Sequence, residues 1–86
     1  MEKRLGVIGI VVDCPEKTGT QVSKYISEHS SIIVGRMGIP YRQRNVSVIA
    51  LIVEGTTDEI GALTGKLGNL EGVTVKSALT SKKFIE

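Results

Sequence analysis

Three arginines, Arg36, Arg42 and Arg44, gather around Tyr41 in the run Gly35-Arg-Met-Gly-Ile-Pro-Tyr-Arg-Gln-Arg44. A guanidinium fork binds carboxylate or phosphate through two hydrogen bonds, and backbone amides next to Gly35 and Gly38 could add more, so the segment is a candidate anion site. The other reading is a solvated hairpin whose arginines pair with acidic side chains of a neighbouring subunit. His29 and Cys14 are the remaining groups with metal or nucleophile chemistry. A metal needs three or four donors, so His29 reads first as a packed or capped residue. Cys14 precedes Pro15 near a helix start, which can activate a thiol, but no base partner is visible, and nucleophilic catalysis needs one. Gly6-Val-Ile-Gly9 lies inside a strand and matches no phosphate-cradling loop. No catalytic residue, metal ligand or cofactor is therefore assigned.

The chain around these residues is small. Its 86 residues form one domain, 1–86, with room for a single core and modest stability unless subunits associate. Eleven basic against nine acidic residues give a net charge of +2, far from the excess expected of a nucleic-acid binder. One cysteine excludes an intrachain disulfide and fits a reducing, cytoplasmic setting, and no stretch approaches the ~20 apolar residues of a membrane span.

The elements that position the candidates follow from periodicity. From Leu5 to Val12, Leu5, Val7 and Val11 point one way while Ile8, Ile10 and Val12 point the other, as expected of a central strand. Gly6 and Gly9 thin that strand where something approaches closely. Asp13 through Thr20 reads as a loop, with Thr18 or Thr20 capping a helix that starts near Gln21 and buries Val22, Tyr25, Ile26 and His29. A second strand, Ile32 to Met37, passes through a loop, Gly38 to Asn45, into a doubly apolar strand from Val46 to Val53. Thr56-Thr-Asp-Glu59 matches a capping box opening a helix that buries Ile60, Leu63, Leu67 and Leu70. Gly61, Gly65 and Gly68 on its adjacent stripe predict close backbone packing. Glu71-Gly72 turns into an edge strand with Val73, Val75 and Leu79 inward.

The order β-α-β-β-α-β gives an α+β ferredoxin-like fold: a four-stranded antiparallel sheet in spatial order 4-1-3-2 with both helices on one face. The opposite face of the two inner strands also carries Val, Ile and Leu. At ~25 cal/mol per Å², covering a few hundred Å² of it contributes several kcal/mol, comparable with the whole stability of a small domain. A homo-oligomer, dimer or tetramer, is expected. An RNA-recognition module shares this strand order but stacks bases on exposed aromatics, which these strands lack.

Taken together, Leu5-Gly-Val-Ile-Gly-Ile-Val-Val12, Ile33-Val-Gly-Arg-Met-Gly-Ile-Pro-Tyr-Arg42, Ser47-Val-Ile-Ala-Leu-Ile-Val53, Ile60-Gly-Ala-Leu-Thr-Gly-Lys-Leu-Gly68 and Gly72-Val-Thr-Val-Lys76 resemble the small regulators of the iron-only hydrogenase system. The resemblance implies an ACT-like regulatory domain, similar in fold to the C-terminal half of nickel-responsive regulators. It implies a non-enzymatic module acting through a small-molecule effector or a partner protein. In ACT domains the effector commonly lies near the first strand-to-helix loop, which maps here to Asp13, Thr18, Thr20 and Gln21. Together with Arg36, Tyr41, Arg42 and Arg44 these are the expected ligand-binding positions. With no DNA-binding segment ahead of the first strand, direct nucleic-acid contact is not expected. Two other readings remain open: a metal sensor in which His29 or Cys14 from several subunits converge, and an acylphosphatase-like hydrolase using Arg36 and Asn45. Against the hydrolase, Asp13 and Glu16 would repel its substrate.

Overall fold

The computed structural model describes residues 1–85. Strand β1 (Glu2–Asp13) leads into helix α1 (Pro15–Glu28), and strands β2 (Ile33–Tyr41) and β3 (Val46–Gly55) form a hairpin. Helix α2 (Thr57–Gly68) and strand β4 (Val73–Ile85) complete the chain, with short 3-10 turns at Ser30–Ile32 and Arg42–Arg44. The sheet order is β2-β3-β1-β4 with antiparallel neighbours throughout, which is 4-1-3-2 read from the other edge. The fold is the expected ferredoxin-like α+β sandwich.

The period-2 pattern of β1 decides which side chains form the core. Ile8, Ile10 and Val12 are buried, as are their β3 counterparts Ile49, Leu51 and Val53. Val22 and Ile26 of α1 and Ile60, Leu63 and Leu67 of α2 close over them at the helical spacing of a buried stripe. Tyr25, Ile33, Leu70, Val73 and Val75 pack at the rim. Gly6 belongs to the same face, directly opposite Leu79 of β4. A Cβ at Gly6 would stand 2.6 Å from Leu79 Cδ2 and 2.8 Å from the Ala78 carbonyl oxygen, so β4 crosses β1 there at a distance that only glycine permits. Just beyond it the β1–β4 register shifts, between Arg4 and Gly6, and Thr80 Oγ1 donates to the Leu5 carbonyl at 2.7 Å.

Helix α2 opens on the expected capping box. Thr56 Oγ1 accepts from the Glu59 amide at 3.1 Å, and Glu59 Oε1 accepts from the Thr56 amide at 2.8 Å. The Thr56 amide, helped by the Thr56 hydroxyl and Lys3, holds the Glu59 carboxyl below its ordinary pKa of 4.5 against some desolvation.

Four sequence expectations need correction. Helix α1 begins at Pro15 instead of near Gln21, because proline suits the first helical position, where its missing N–H would have no partner anyway. Thr18 and Thr20 therefore lie inside the helix, and its N-cap is Cys14, which makes no side-chain capping bond. Strand β2 runs to Tyr41 instead of fading at Met37, since Pro40 is tolerated on an edge strand whose outward amide has no ladder partner to lose. Finally, a Cβ at Gly61, Gly65 or Gly68 would meet nothing within 4 Å, so these glycines lie against open space and not a close neighbour.

Candidate functional site

The end of β1 is where the chain departs most from regular geometry. Cys14 has φ 52° and Asn45 φ 53°, the only non-glycine residues with positive φ among those described, and Gly72 has φ 74°. All three meet. The Asp13 amide donates to the Gly72 carbonyl at 2.7 Å, and the Cys14 amide to the Asn45 carbonyl at 3.4 Å. Asparagine and glycine adopt this left-handed region readily, whereas cysteine does so at a cost, so tertiary contacts hold the Cys14 backbone in place. A Cβ on Gly72 would also press on the Asp13 carbonyl at 3.3 Å.

Two clefts flank the Cys14–Pro15 step. The first, of about 240 Å³, is lined by Asp13, Cys14, Lys17, Thr18, Glu71 and Gly72. It presents two carboxylates and one ammonium, and the Thr18 hydroxyl oxygen is shielded from solvent with no hydrogen-bond partner. Groups of both charge signs suit a small polar molecule that itself carries both. The second cleft, about 230 Å³, is lined by Pro15, Pro40, Arg42, Asn45, Val46 and Ser47.

Of the positions expected from sequence, Asp13 and Thr18 line the first cleft, while Thr20 and Gln21 are exposed on α1 outside it. Arg42 lines the second cleft, with Arg44 in the same 3-10 turn. Tyr41 pairs with Val46 and shares the helix-free face of the sheet. Arg36 is not at the hairpin tip. It pairs with Leu51 and Tyr41 with Val46, five positions or ~17 Å along the strand, and Arg36 belongs to the helix side. The same spacing keeps Arg36 from converging with Asn45.

Lys17, Glu71 and Gly72 were missed as cleft residues. The pairing of Val12 with Val73 brings Gly72 beside Asp13, and that antiparallel register was the available signal. His29 is half-buried at the end of α1, its Nε2 3.3 Å from Lys66 Nζ, and Lys66 also pairs with Glu28 at 3.9 Å. Cys14 and His29 stand at opposite ends of a 14-residue helix, ~21 Å apart, so a metal shared by them would require more than one chain. Among the described residues no three His, Cys, Asp or Glu side chains cluster to hold a metal ion, and no helix is long and apolar enough to cross a membrane.

The helix-free face of the sheet is a third feature. Val7 and Val11 of β1, Val48 and Ile52 of β3, and Met37 and Ile39 of β2 project from it and are all substantially exposed. Ala50, Ala78 and Gly9 fill the space between them without adding charge, and Lys76 opposite Gly9 brings a cation to the β4 side. Contiguous exposed apolar residues of this kind have the composition that interaction sites share.

Solved structures share this architecture. The protein TM1266 of Thermotoga maritima, described as uncharacterized, is 40% identical with a TM-score of 0.87 over 90% of this chain and 96% of its own. The ACT domain of the Chlorobium tepidum GTP pyrophosphokinase has a TM-score of 0.75 at 23% identity, covering 88% of this chain and 99% of that one. The C-terminal domain of the Mycobacterium tuberculosis MgtC protein has a TM-score of 0.66 at 18% identity, covering 90% and 87%. The latter two likenesses establish the fold alone. A search of curated proteins finds no match. Residues 4–77 match the TM1266-like family, described as "Iron-only hydrogenase system regulator, putative", and the chain belongs to that family, on an ACT-like fold.

Proposed function

We propose that this protein is a non-enzymatic regulatory module of the iron-only hydrogenase system. It works in the cytoplasm as a homo-oligomer, dimer or tetramer, whose state responds to a small effector or a partner protein. The observation that carries this reading is the apolar helix-free face, on which Val7 and Ile52 remain 48% exposed in the single chain. Burying that face against further copies removes its valine, isoleucine and methionine side chains from water.

The effector belongs in the cleft of Asp13, Lys17, Thr18 and Glu71, whose opposed charges select a small molecule carrying both an anionic and a cationic group. Its rim is built from β1, the start of α1 and the α2–β4 turn, so an occupant touches three elements at once. The family description supports the regulatory role.

The experiment is a thermal-shift screen of amino acids, nucleotides and simple anions against the wild-type protein and Lys17→Ala. A ligand that raises Tm in the wild type, since binding to the native state must stabilise it, and loses that effect in Lys17→Ala supports the effector reading. A Tm that ignores the whole panel, or a shift that survives the substitution undiminished, contradicts it.

A further inference from the structure

We propose that the second cleft, between the start of α1 and the tip of the β2–β3 hairpin, is an oxyanion-binding site in which Arg42 grips a phosphate or carboxylate group. The contrast with the first cleft motivates the assignment. There two carboxylates share the lining with one ammonium, whereas here Arg42 is the sole ionisable lining residue. Among the described residues, ion pairs join Lys66 to Glu28 and Lys83 to Glu2, and neither Arg42 nor Arg44 has a carboxylate within 4 Å. The guanidinium fork thus keeps its full set of donors, and Arg44 in the same turn adds a second positive charge to the local field.

The walls suit the task. Pro15 and Pro40 have fixed φ and no N–H, so they give a stiff frame that does not compete for the ligand's oxygens. Ser47 is half-buried on β3, paired with Pro40 on one side and Val12 on the other, and offers a hydroxyl donor. Asn45 is fixed in its left-handed conformation by the bond from the Cys14 amide to its carbonyl, and its side-chain amide supplies further donors. At about 230 Å³ the cleft lies below the range of drug-sized ligands, which points to a small free anion or to the anionic head of a larger molecule. Pro40 and Ser47 pair with each other on the helix side of the sheet, so association through the opposite face leaves the cleft open. The assignment therefore rests on neither the effector cleft nor oligomerisation.

The test is an NMR titration of the ¹⁵N-labelled full chain with inorganic phosphate, with acetate and chloride as separate arms. It follows the amides of Arg42 to Ser47 in the wild type, Arg42→Ala and Arg36→Ala. Saturable shifts with phosphate are expected, with affinity reduced roughly 10- to 100-fold in Arg42→Ala, as loss of a charge-assisted hydrogen-bonding group implies, and unchanged in Arg36→Ala. Saturation by acetate at the same amides identifies a general oxyanion site, and saturation by phosphate alone identifies a phosphate site; either supports the proposal. Shifts that never saturate and match those with chloride, or that are equal in wild type and Arg42→Ala, overturn it.

Discussion

The two faces of the sheet are built from the same kinds of side chain and have opposite environments. On β1, Ile8, Ile10 and Val12 are sealed beneath α1 and α2, while Val7 and Val11, one residue away on the same strand, face outward. On β3, Leu51 is fully buried and its neighbour Ile52 is 48% exposed. A solvated antiparallel sheet normally alternates apolar with polar residues. Here both faces are apolar, so the second has the composition of a core and, in the proposed assembly, is covered by another copy.

Paired substitutions sharpen that contrast. Leu51→Ala leaves a void in the sealed layer and should lower unfolding stability by ~2–5 kcal/mol at any protein concentration, read from urea denaturation. Ile52→Ala should instead lower chiefly the concentration-dependent part of the stability, because the half of its surface that its own chain leaves exposed is covered only when copies associate. If both variants lose the same stability independent of concentration, the two faces do not differ as described.

A second pair compares glycines. Gly6→Ala drives a Cβ against the Ala78 carbonyl and Leu79, and overpacking of this kind should cost ~1–3 kcal/mol. Gly65→Ala on the outer face of α2 meets nothing within 4 Å and should raise stability by ~1 kcal/mol, the helix-propensity difference. Thermal unfolding of the two variants measures both signs.

The smallest effect is acid sensitivity at the α2 cap. Because the Thr56 amide lowers the folded-state pKa of Glu59, the contribution of that carboxylate is complete above its unfolded value near 4.5 and fades as pH falls through the lower folded value. Glu59→Gln keeps an acceptor but cannot titrate. The difference in urea midpoint between wild type and Glu59→Gln should therefore shrink on acidification below about pH 4.5, in low salt.

These contrasts also show what the sequence can and cannot reveal. The strands, the helices' buried stripes and the capping box were legible because each depends on local spacing: period two in Leu5 to Val12, i and i+4 in Val22 and Ile26, and Thr56 to Glu59. Pro15 misled because proline signals both a loop and the first turn of a helix, and only the geometry of Cys14 decides between them. The α2 glycines misled because the cost of glycine in a helix does not say which side needs the room. The clefts were only half legible: Asp13 and Thr18 came from a family resemblance, while Lys17, Glu71 and Gly72 join them through the β1–β4 register, a long-range pairing. The arginines read as one cluster because they are close in sequence, yet an extended strand carries Arg36 away from Arg42.

The most direct test of the central claim is sedimentation equilibrium of the wild-type protein and Ile52→Glu at micromolar concentration, with circular dichroism to confirm that both are folded. The account predicts a wild-type dimer or larger assembly and a folded monomeric variant. A wild-type protein that stays monomeric, or a variant that associates as strongly as the wild type, would contradict it.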